Sequence, residues 1–462
     1  MFEASVYVER RRRLAGDVGA GLVLLLGNAE APINYRDNQY PFRQDSTFLY
    51  FFGLDRPDLA AVVDGDAGRA AVFGDDFTVD DIVWSGPRPT LADVAAQVGV
   101  EATHPLEALA GVVDEARRGG RSIHFLPPYR GDTALWLEAL TGIRAGEAVP
   151  AASLSLIRAI VAQRSVKSAD ELAEIESALE ITRDMQLLAM RLSKPGVFER
   201  EVAGAMEGVA LARGGRLAFP TIFTTRGETL HNHYHGHRME AGDLIVSDCG
   251  AESALHYAAD TTRTIPVGGV LTGVRRDLYE AVLRAQLRAI DAIRPGVRYR
   301  DVHLAAARSL AADLVALGCL RGDVEAAVAA GAHALFFPHG LGHMMGLDVH
   351  DMEHLGEDHV GYDATVTRST QFGLKALRFA RQLEPGFVVT VEPGLYFIPG
   401  LIDQWRAEGR AAEFIDYAAV DRFRGAGGLR IEDDVVVTSD GGRVLGPPIP
   451  KRLEDVEATA SA

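Results

Sequence analysis

Two stretches of this chain are repeated within it, and the repeats occur in the same order. Residues 195–202 (PGVFEREV) return as residues 295–302 (PGVRYRDV), and residues 239–250 (MEAGDLIVSDCG) return as residues 383–394 (LEPGFVVTVEPG). Asp248 and Glu392 occupy matching positions in the second pair, after an apolar run and just before a glycine turn. Strands commonly end in this way, so one match alone carries little weight. Two matches in register predict a duplicated α+β domain with pseudo-twofold symmetry.

The chain is expected to form two domains, because 462 residues exceed what one hydrophobic core usually supports. Residues 1–160 mix short apolar runs with turns and helical segments, which predicts an α/β N-terminal domain. Ser168 and Glu171 form a capping-box pattern, so a long helix is expected to open the second domain, residues 161–462. The linker is predicted within residues 150–167.

Charge and cysteine content limit the classes of binding partner and indicate the cellular compartment. A formal net charge of −17 without any basic stripe argues against nucleic acid and against anionic membranes. Only Cys249 and Cys319 are present, so we expect no disulfide framework and a cytoplasmic location. The N-terminal arginines and following apolar stretch imitate a signal peptide, but Asp17 interrupts that stretch and favours a helix that leads into a buried strand. No run approaches the roughly 20 apolar residues that span a bilayer.

Five side chains in the C-terminal half are of the kind that bind metal ions: Asp248, Asp260, His343, Glu392 and Glu432. Four carboxylates in one buried pocket would repel each other unless cations were present, and two divalent ions supply the matching charge. An oxygen-rich set with one imidazole suits Mn²⁺ first, with Co²⁺, Zn²⁺ and Fe²⁺ as alternatives. An Asp at a strand end is more often a turn residue, but a hairpin could place Asp248 and Asp260 on one pocket wall.

Histidines cluster in two places. His339, His343 and His350 lie in the glycine-rich stretch PHGLGHMMGLDVHD; a lone histidine there would more often belong to the core, but three beside acidic motifs favour a site. We predict that His343 binds metal and that His339 and His350 donate hydrogen bonds to the substrate or the developing oxyanion. In the stretch HNHYHGH we expect His231 to face the site. The remaining three, His233, His235 and His237, would form the pocket rim or a solvated loop, with an auxiliary metal site as the alternative.

These motifs in this order, D-x-G, D-x-TRT, H-G-x-GH, VEPG and RIED, resemble the pita-bread metallopeptidases that cleave Xaa-Pro bonds, aminopeptidase P and prolidase. The segment YPFRQDS at residues 40–46 resembles their creatinase-type N-terminal domain. The resemblance implies a dinuclear site in which Asp248 binds one metal, Asp260 and Glu432 bridge both, and His343 and Glu392 complete the other. It also implies a metal-bridging hydroxide as the nucleophile, with Glu392 as proton shuttle.

Four further features concern the hairpin, the subfamily and the contacts of the site. The spacing from Asp248 to Asp260 is a residue longer than usual, which predicts a bulge or a longer turn. Trp84 matches a substrate-binding aromatic of aminopeptidase P, whereas Arg378 matches the prolidase residue that holds a dipeptide carboxylate. Arg430 is expected to contact the ligands rather than the metal.

From these features we predict a Mn²⁺-dependent Xaa-Pro aminopeptidase that acts on peptide substrates and forms a homodimer or higher homo-oligomer. The close alternative is an Xaa-Pro dipeptidase, acting only on dipeptides. A remote alternative is a pita-bread protein that has lost catalysis and serves as a binding module. The presence of all five ligand candidates argues against this last reading.

Overall fold

The computed structural model describes residues 1–461, which form two compact units. The first unit comprises Met1–Arg164 together with Glu353–His359, and the second runs from Ser165 to Met352 and onward from Val360. Among the described residues, no single helix has the length and apolarity of a membrane span. One bent pair of helical segments, Ala145–Ala151 and Leu154–Ser165, passes the same test of length and composition only when taken together.

The first unit is built on a five-stranded mixed sheet. Its strands are β1 (Leu22–Leu26), β4 (Ala60–Asp64), β5 (Arg69–Phe73), β6 (Ala102–His104) and β7 (Ile123–His124), with a separate hairpin of β2 (Pro32–Tyr35) and β3 (Asn38–Gln39). The helices up to the linker are α1 (Ala4–Val18), α2 (Ser46–Phe52), α3 (Val79–Ser85), α4 (Leu91–Gln97), α5 (Ala108–Arg118), α6 (Gly131–Thr141), α7 (Ala148–Ala151) and α8 (Leu154–Ser165). The sheet order is β6-β5-β4-β1-β7. The apolar strand β1 is flanked on both sides and buried, which confirms the predicted helix followed by a buried strand.

From residue 169 onward the chain alternates long helices with short antiparallel sheets. The helices are α9 (Ala169–Leu192), α10 (Glu199–Ala212), α11 (Gly273–Ala292), α12 (Tyr299–Ala316), α13 (Val324–Ala329), α14 (Glu357–Val360), α15 (Pro399–Ala407), α16 (Tyr417–Val420) and α17 (Leu453–Ser461). The strands are β8 (Ile222–Thr224), β9 (Leu244–Cys249), β10 (Thr261–Pro266), β11 (Val388–Val391), β12 (Gly394–Tyr396), β13 (Gly428–Arg430), β14 (Asp433–Val437) and β15 (Gly442–Val444). Three sheets result, in the orders β10-β9-β8, β11-β14-β15 and β12-β13. The predicted capping box of Ser168 and Glu171 opens α9.

The backbone shows the duplication directly. In the first half, Gly196 N–H donates to Met239 O at 2.8 Å, and in the second half Gly296 N–H donates to Leu383 O at 2.9 Å. Both glycines have left-handed backbones, with φ of +92° and +86°, which explains why glycine recurs at this turn. A strand with a carboxylate at its end then follows in each half, with Asp248 in β9 and Glu392 directly after β11. The predicted duplicated α+β domain is therefore confirmed.

The hairpin between β9 and β10 accommodates its extra length in the turn. Asp248 pairs with Thr262 within the ladder, and Glu252 forms a bridge with Ala258 beyond it, so the same register continues toward the turn. His256 closes the turn with a φ of +67°. Of the two predicted possibilities, a bulge or a longer turn, the structure therefore contains the longer turn.

The base of this hairpin should not tolerate a side chain at Gly250. A Cβ there would lie 1.7 Å from Ala259 O on the facing strand. We expect Gly250→Ala to destabilise the second unit by about 3 kcal/mol or more, because the backbone would have to separate. The matched control is Gly204→Ala on the exposed face of α10, where a Cβ meets nothing within 4 Å. That control should stabilise by about 0.5–1 kcal/mol. Thermal unfolding of both variants measures the difference, and equal midpoints would contradict the predicted close approach.

Candidate metal centre

The five predicted ligands converge on one cavity of about 280 Å³. One ligand atom each from Asp260, His343 and Glu432 lie within 4.8 Å of one another. His343 Nε2 is 3.4 Å from Asp260 Oδ2 and 3.9 Å from Glu392 Oε1. Asp248 lines the same cavity from β9. The structure thus brings these five side chains together, and their roles as metal ligands stay predictions.

Strand geometry places the two aspartates side by side. Continuing the β9–β10 register puts Asp260 opposite Gly250, two positions from Asp248 along β9. Because side chains alternate between the faces of a strand, both carboxylates point to the same face. Glu432 joins them because its backbone N–H donates to Thr262 O at 3.0 Å.

The second half of the duplication supplies His343 and Glu392. Thr390 N–H in β11 donates to His343 O at 3.0 Å, and Glu392 N–H donates to Leu341 O at 2.8 Å. The intervening Gly342 lies so close to β11 that a Cβ would be 2.1 Å from Thr390 O. This close approach is a physical reason for glycine in the H-G-x-GH motif.

His343 is oriented for ligation by its other ring nitrogen. Nδ1 lies 3.0 Å from Met344 O, a geometry in which Nδ1–H donates to the carbonyl. Nε2 then carries the lone pair and faces the carboxylates of Asp260 and Glu392.

The electrostatics of the pocket call for added positive charge. Burial, followed by the neighbouring Glu432 carboxylate, raises the pKa of Asp260 well above its usual range. Burial and then Glu392 do the same to the pKa of Glu432, and burial raises the pKa of Glu392 to about 7. Asp248 Oδ1 and Asp260 Oδ1 are buried without a hydrogen-bond partner among residues 1–461. Unpartnered carboxylate oxygens converging with an imidazole Nε2 fit a site for divalent cations.

Arg430 connects the aspartates to the wall of the cavity. Its Nη2 donates to Asp248 Oδ2 at 2.5 Å, its Nη1 donates to Tyr396 Oη at 2.9 Å, and its Nε donates to Thr262 Oγ1 at 3.0 Å. It therefore contacts one of the predicted ligands, the position expected for it. No sequence motif pointed to Tyr396, which lies in β12 and pairs with Gly428 in β13.

His339 is held in place through Tyr396. His339 Nε2 is 2.9 Å from Tyr396 Oη, and Nδ1 is 2.7 Å from Gly340 O. Burial lowers the pKa of His339 to about 3, so the ring is neutral. If Nδ1–H donates to the carbonyl, Tyr396 O–H donates to Nε2, and both ring nitrogens have partners within the protein. The predicted role of His339 as a hydrogen-bond donor to substrate would require it to exchange one of these bonds.

The remaining predicted residues divide between the cavity and other surfaces. His231, His350 and Arg378 line the cavity, and so does His233, an exposed residue that was predicted at the pocket rim or in a solvated loop. Two further histidines are hydrogen-bonded nearby: His235 Nδ1 to Phe223 O, and His237 Nδ1 to Glu199 Oε2, each at 3.1 Å. Within residues 1–461, Asp260, His343 and Glu432 are the one group of three or more acidic, histidine or cysteine side chains whose ligand atoms lie within 4.8 Å of one another, and the group includes no histidine of the 231–237 stretch. Trp84 lies on α3 in the first unit and is 87% exposed.

Comparison with known proteins places this arrangement in a family. Residues 173–439 match metallopeptidase family M24, and residues 7–142 match the N-terminal domain of aminopeptidase P. The chain belongs to metallopeptidase family M24. The human protein named Xaa-Pro dipeptidase is 32% identical, with 97% of this chain and 90% of that protein covered. The Escherichia coli protein named Xaa-Pro aminopeptidase is 30% identical, with 98% and 96% covered.

Solved structures of aminopeptidase P proteins match this chain over its whole length. The structure of E. coli aminopeptidase P with the inhibitor Pro-Leu superposes with a TM-score of 0.82 at 28% identity, over 100% of this chain and 98% of that one. Proline aminopeptidase P II from Yersinia pestis gives a TM-score of 0.82 at 29% identity, over 100% of both chains. These matches confirm the pita-bread fold with its aminopeptidase P type N-terminal domain. Together with the buried acidic cluster, membership of M24 supports divalent metal ions at this site.

Removal of the Tyr396 hydroxyl should lower the metal affinity or the activity of the site, although Tyr396 is not itself a predicted ligand. Tyr396→Phe leaves Arg430 Nη1 and His339 Nε2 without their shared partner, so both side chains lose a positional restraint. We expect metal affinity or peptidase activity to fall about 10- to 100-fold. Tyr417→Phe is the control, because the Tyr417 hydroxyl donates to Arg410 O in the segment between Glu392 and Glu432. Metal titration and kcat/KM measure both variants, and equal values would exclude a role for the Tyr396 hydroxyl.

Proposed function

We propose that this protein is a metal-dependent Xaa-Pro aminopeptidase that releases the N-terminal residue from peptides with proline in second position. One observation supports this most: four carboxylates and one imidazole converge beneath a cavity lined by His231, His350 and Arg378. Relatives with this fold over the whole chain are named aminopeptidase P.

Asp248, Asp260, His343, Glu392 and Glu432 would hold the divalent ions. The donor set of carboxylate oxygens with one nitrogen makes Mn²⁺ our proposed metal, with Co²⁺ or Zn²⁺ as alternatives. Such ions, when bound, polarise a carbonyl and lower the pKa of water so that it can attack near neutral pH. The protein contributes the rigid arrangement: Arg430 fixes Asp248, and the hydrogen bond from His343 Nδ1 to Met344 O fixes the imidazole.

Glu392 is the residue we assign to proton transfer. Its side chain is 17% exposed, against 10% for Asp248 and 8% for Asp260, so it is the more accessible from the cavity. One carboxylate oxygen, Oε2, is 3.8 Å from His339 Nδ1, and the other faces His343. From this position Glu392 can take a proton from the attacking water and deliver it to the proline nitrogen as the amide bond breaks.

The substrate bond explains the mixed lining of the cavity. An Xaa-Pro amide has no N–H to recognise, and the proline ring fixes φ, so shape and the free N-terminus must provide selectivity. Phe219, Pro220 and Leu230 give the cavity an apolar wall suited to a pyrrolidine ring. The carboxylates of the site can hold the N-terminal ammonium group.

Neutralising Glu392 tests its assignment. Glu392→Gln keeps the shape of the side chain but cannot accept a proton, so we expect kcat to fall by at least about 100-fold while the fold persists. Glu384→Gln, an exposed residue before the same strand, is the control and should retain full activity. Hydrolysis of an Xaa-Pro tripeptide measures both. Activity of Glu392→Gln within a few-fold of the native enzyme would require a different proton carrier.

A second candidate, an Xaa-Pro dipeptidase, is favoured by Arg378. Its guanidinium lies in the cavity wall and acts electrostatically on His231 and Glu392. A cation there suits the C-terminal carboxylate of a dipeptide, and the human relative is named Xaa-Pro dipeptidase. The two candidates differ in whether Arg378 ends the site just beyond proline or leaves room for a longer chain.

Arg378→Ala separates these candidates. If Arg378 binds a dipeptide carboxylate, kcat/KM for dipeptides should fall about 10- to 100-fold, because a charge-assisted hydrogen bond is lost, while tripeptides change little. Arg294→Ala, outside the cavity lining, is the control and should affect neither substrate. Equal losses on both substrates would remove the carboxylate role.

The overall function is tested with a matched pair of peptides, an Xaa-Pro dipeptide and the same sequence extended by one or two residues. Chelation should abolish activity and Mn²⁺ should restore it. Cleavage of the extended peptide supports the aminopeptidase, and cleavage of the dipeptide alone supports the dipeptidase. Activity on neither peptide would overturn both and favour a binding module.

Three further assignments complete the proposal. Trp84 contributes an aromatic surface for substrate, the protein acts in the cytoplasm, and the chain forms a homodimer or higher homo-oligomer. The oligomeric state is read by light scattering coupled to size-exclusion chromatography. Trp84→Ala tests the aromatic contribution, and the variant should have a higher KM for peptides.

A further inference from the structure

A buried ion pair outside the metal centre reaches the loop that carries His350. Lys167 Nζ donates to Asp351 Oδ2 at 2.8 Å, and both side chains are 1% exposed. Lys167 lies between α8 and α9, and its backbone N–H donates to Gly386 O at 2.8 Å, in the turn before β11. The cationic partner is therefore anchored to the same scaffold that carries Glu392.

The Asp351 carboxylate organises the loop around itself. Asp351 Oδ1 accepts a hydrogen bond from Asp348 N–H at 3.3 Å, and Asp351 N–H donates to Met344 O at 2.9 Å. Gly346 passes so close that a Cβ would lie 2.5 Å from Asp351 Oδ2 and 3.0 Å from Lys167 Cε. Residues 344–351 thus fold back on themselves, with the ion pair enclosed.

Individual hydrogen bonds tie this loop to its neighbours: Met345 N–H donates to Val388 O at 3.0 Å, and Gly346 O accepts from Ala258 N–H at 2.8 Å. Residues 345–352 contain no helix or strand, so no regular ladder of hydrogen bonds sets their path. The ring of His350 nevertheless lies against that of His343, with centroids 4.1 Å apart and planes inclined at 58°. His350 immediately precedes Asp351, so the position of the carboxylate sets the position of the histidine backbone.

We propose that Lys167, through its ion pair with Asp351, is a positioning residue that holds His350 against His343 and toward the substrate cavity. A buried pair adds little net stability over apolar side chains, so a role in fixing one loop conformation accounts for it better than stability alone. The inference rests on the proposed function, because its effect is read in Xaa-Pro hydrolysis.

The test is a double-mutant cycle in the metal-loaded enzyme. Lys167→Met is made in the native background and in a His350→Ala background, and kcat/KM is measured on an Xaa-Pro tripeptide. Lys167→Met leaves the buried Asp351 carboxylate without its cation. Lys167→Met/Asp351→Asn, which leaves no unpaired charge, is therefore made in both backgrounds as well. The double variant decides the result if Lys167→Met does not fold. Arg443→Met, which breaks the exposed ion pair with Glu176, is the matched control.

With His350 present, we expect Lys167→Met and Lys167→Met/Asp351→Asn each to lower kcat/KM about 10- to 100-fold, because the histidine is misplaced. In the His350→Ala background the same changes should cost less than about threefold, because the group they position is gone. Metal content should be unchanged throughout. Equal fold-losses in the two backgrounds, or no loss in either, would overturn the inference. If the native enzyme cleaves no Xaa-Pro peptide, it is the proposed function that fails.

Discussion

Four carboxylates buried in one pocket are the constraint on which the second unit depends. Burial and mutual repulsion hold the pKa of Asp260 and of Glu432 far above the usual range, so a pocket without added cations favours protonated acids. Arg430 offsets only part of this charge through its contact with Asp248. Divalent cations supply the rest, and the unpartnered oxygens of the two aspartates are the donors they would use.

The duplicated scaffold explains how these charges are brought together. Each half ends a strand with a carboxylate, and the short antiparallel ladders hold those strand ends rigidly. The remaining groups come from irregular segments that are fixed by close packing: Gly342 lies against β11, and Gly346 lies against the Lys167–Asp351 ion pair. The acids therefore lie in strands or directly beside strand ends, while glycine-dependent loops carry His343 and His350.

The features that could be predicted from the sequence are those encoded by short motifs and by their spacing. The duplication, the extra residue between Asp248 and Asp260 and the grouping of five ligand candidates all follow from motifs and spacings along the chain, although the spacing alone left a bulge and a longer turn as equal possibilities. Contacts between distant positions could not be predicted: Tyr396 meets Arg430 across 34 residues, and Lys167 meets Asp351 across 184. Arg430 and Asp351 lie in or beside recognised motifs, but no pattern marks Tyr396 or Lys167 as their partners, so only the folded chain reveals these two contacts.

The most direct test of this account is the metal content of the purified protein after equilibration with Mn²⁺ and removal of the free ion. We expect about two ions per chain, because two divalent cations balance four carboxylates. Asp260→Asn should reduce that number, whereas Asp170→Asn, an exposed aspartate at the start of α9, should not. A native protein with far less than one ion per chain, or an Asp260→Asn variant with undiminished content, would contradict the account.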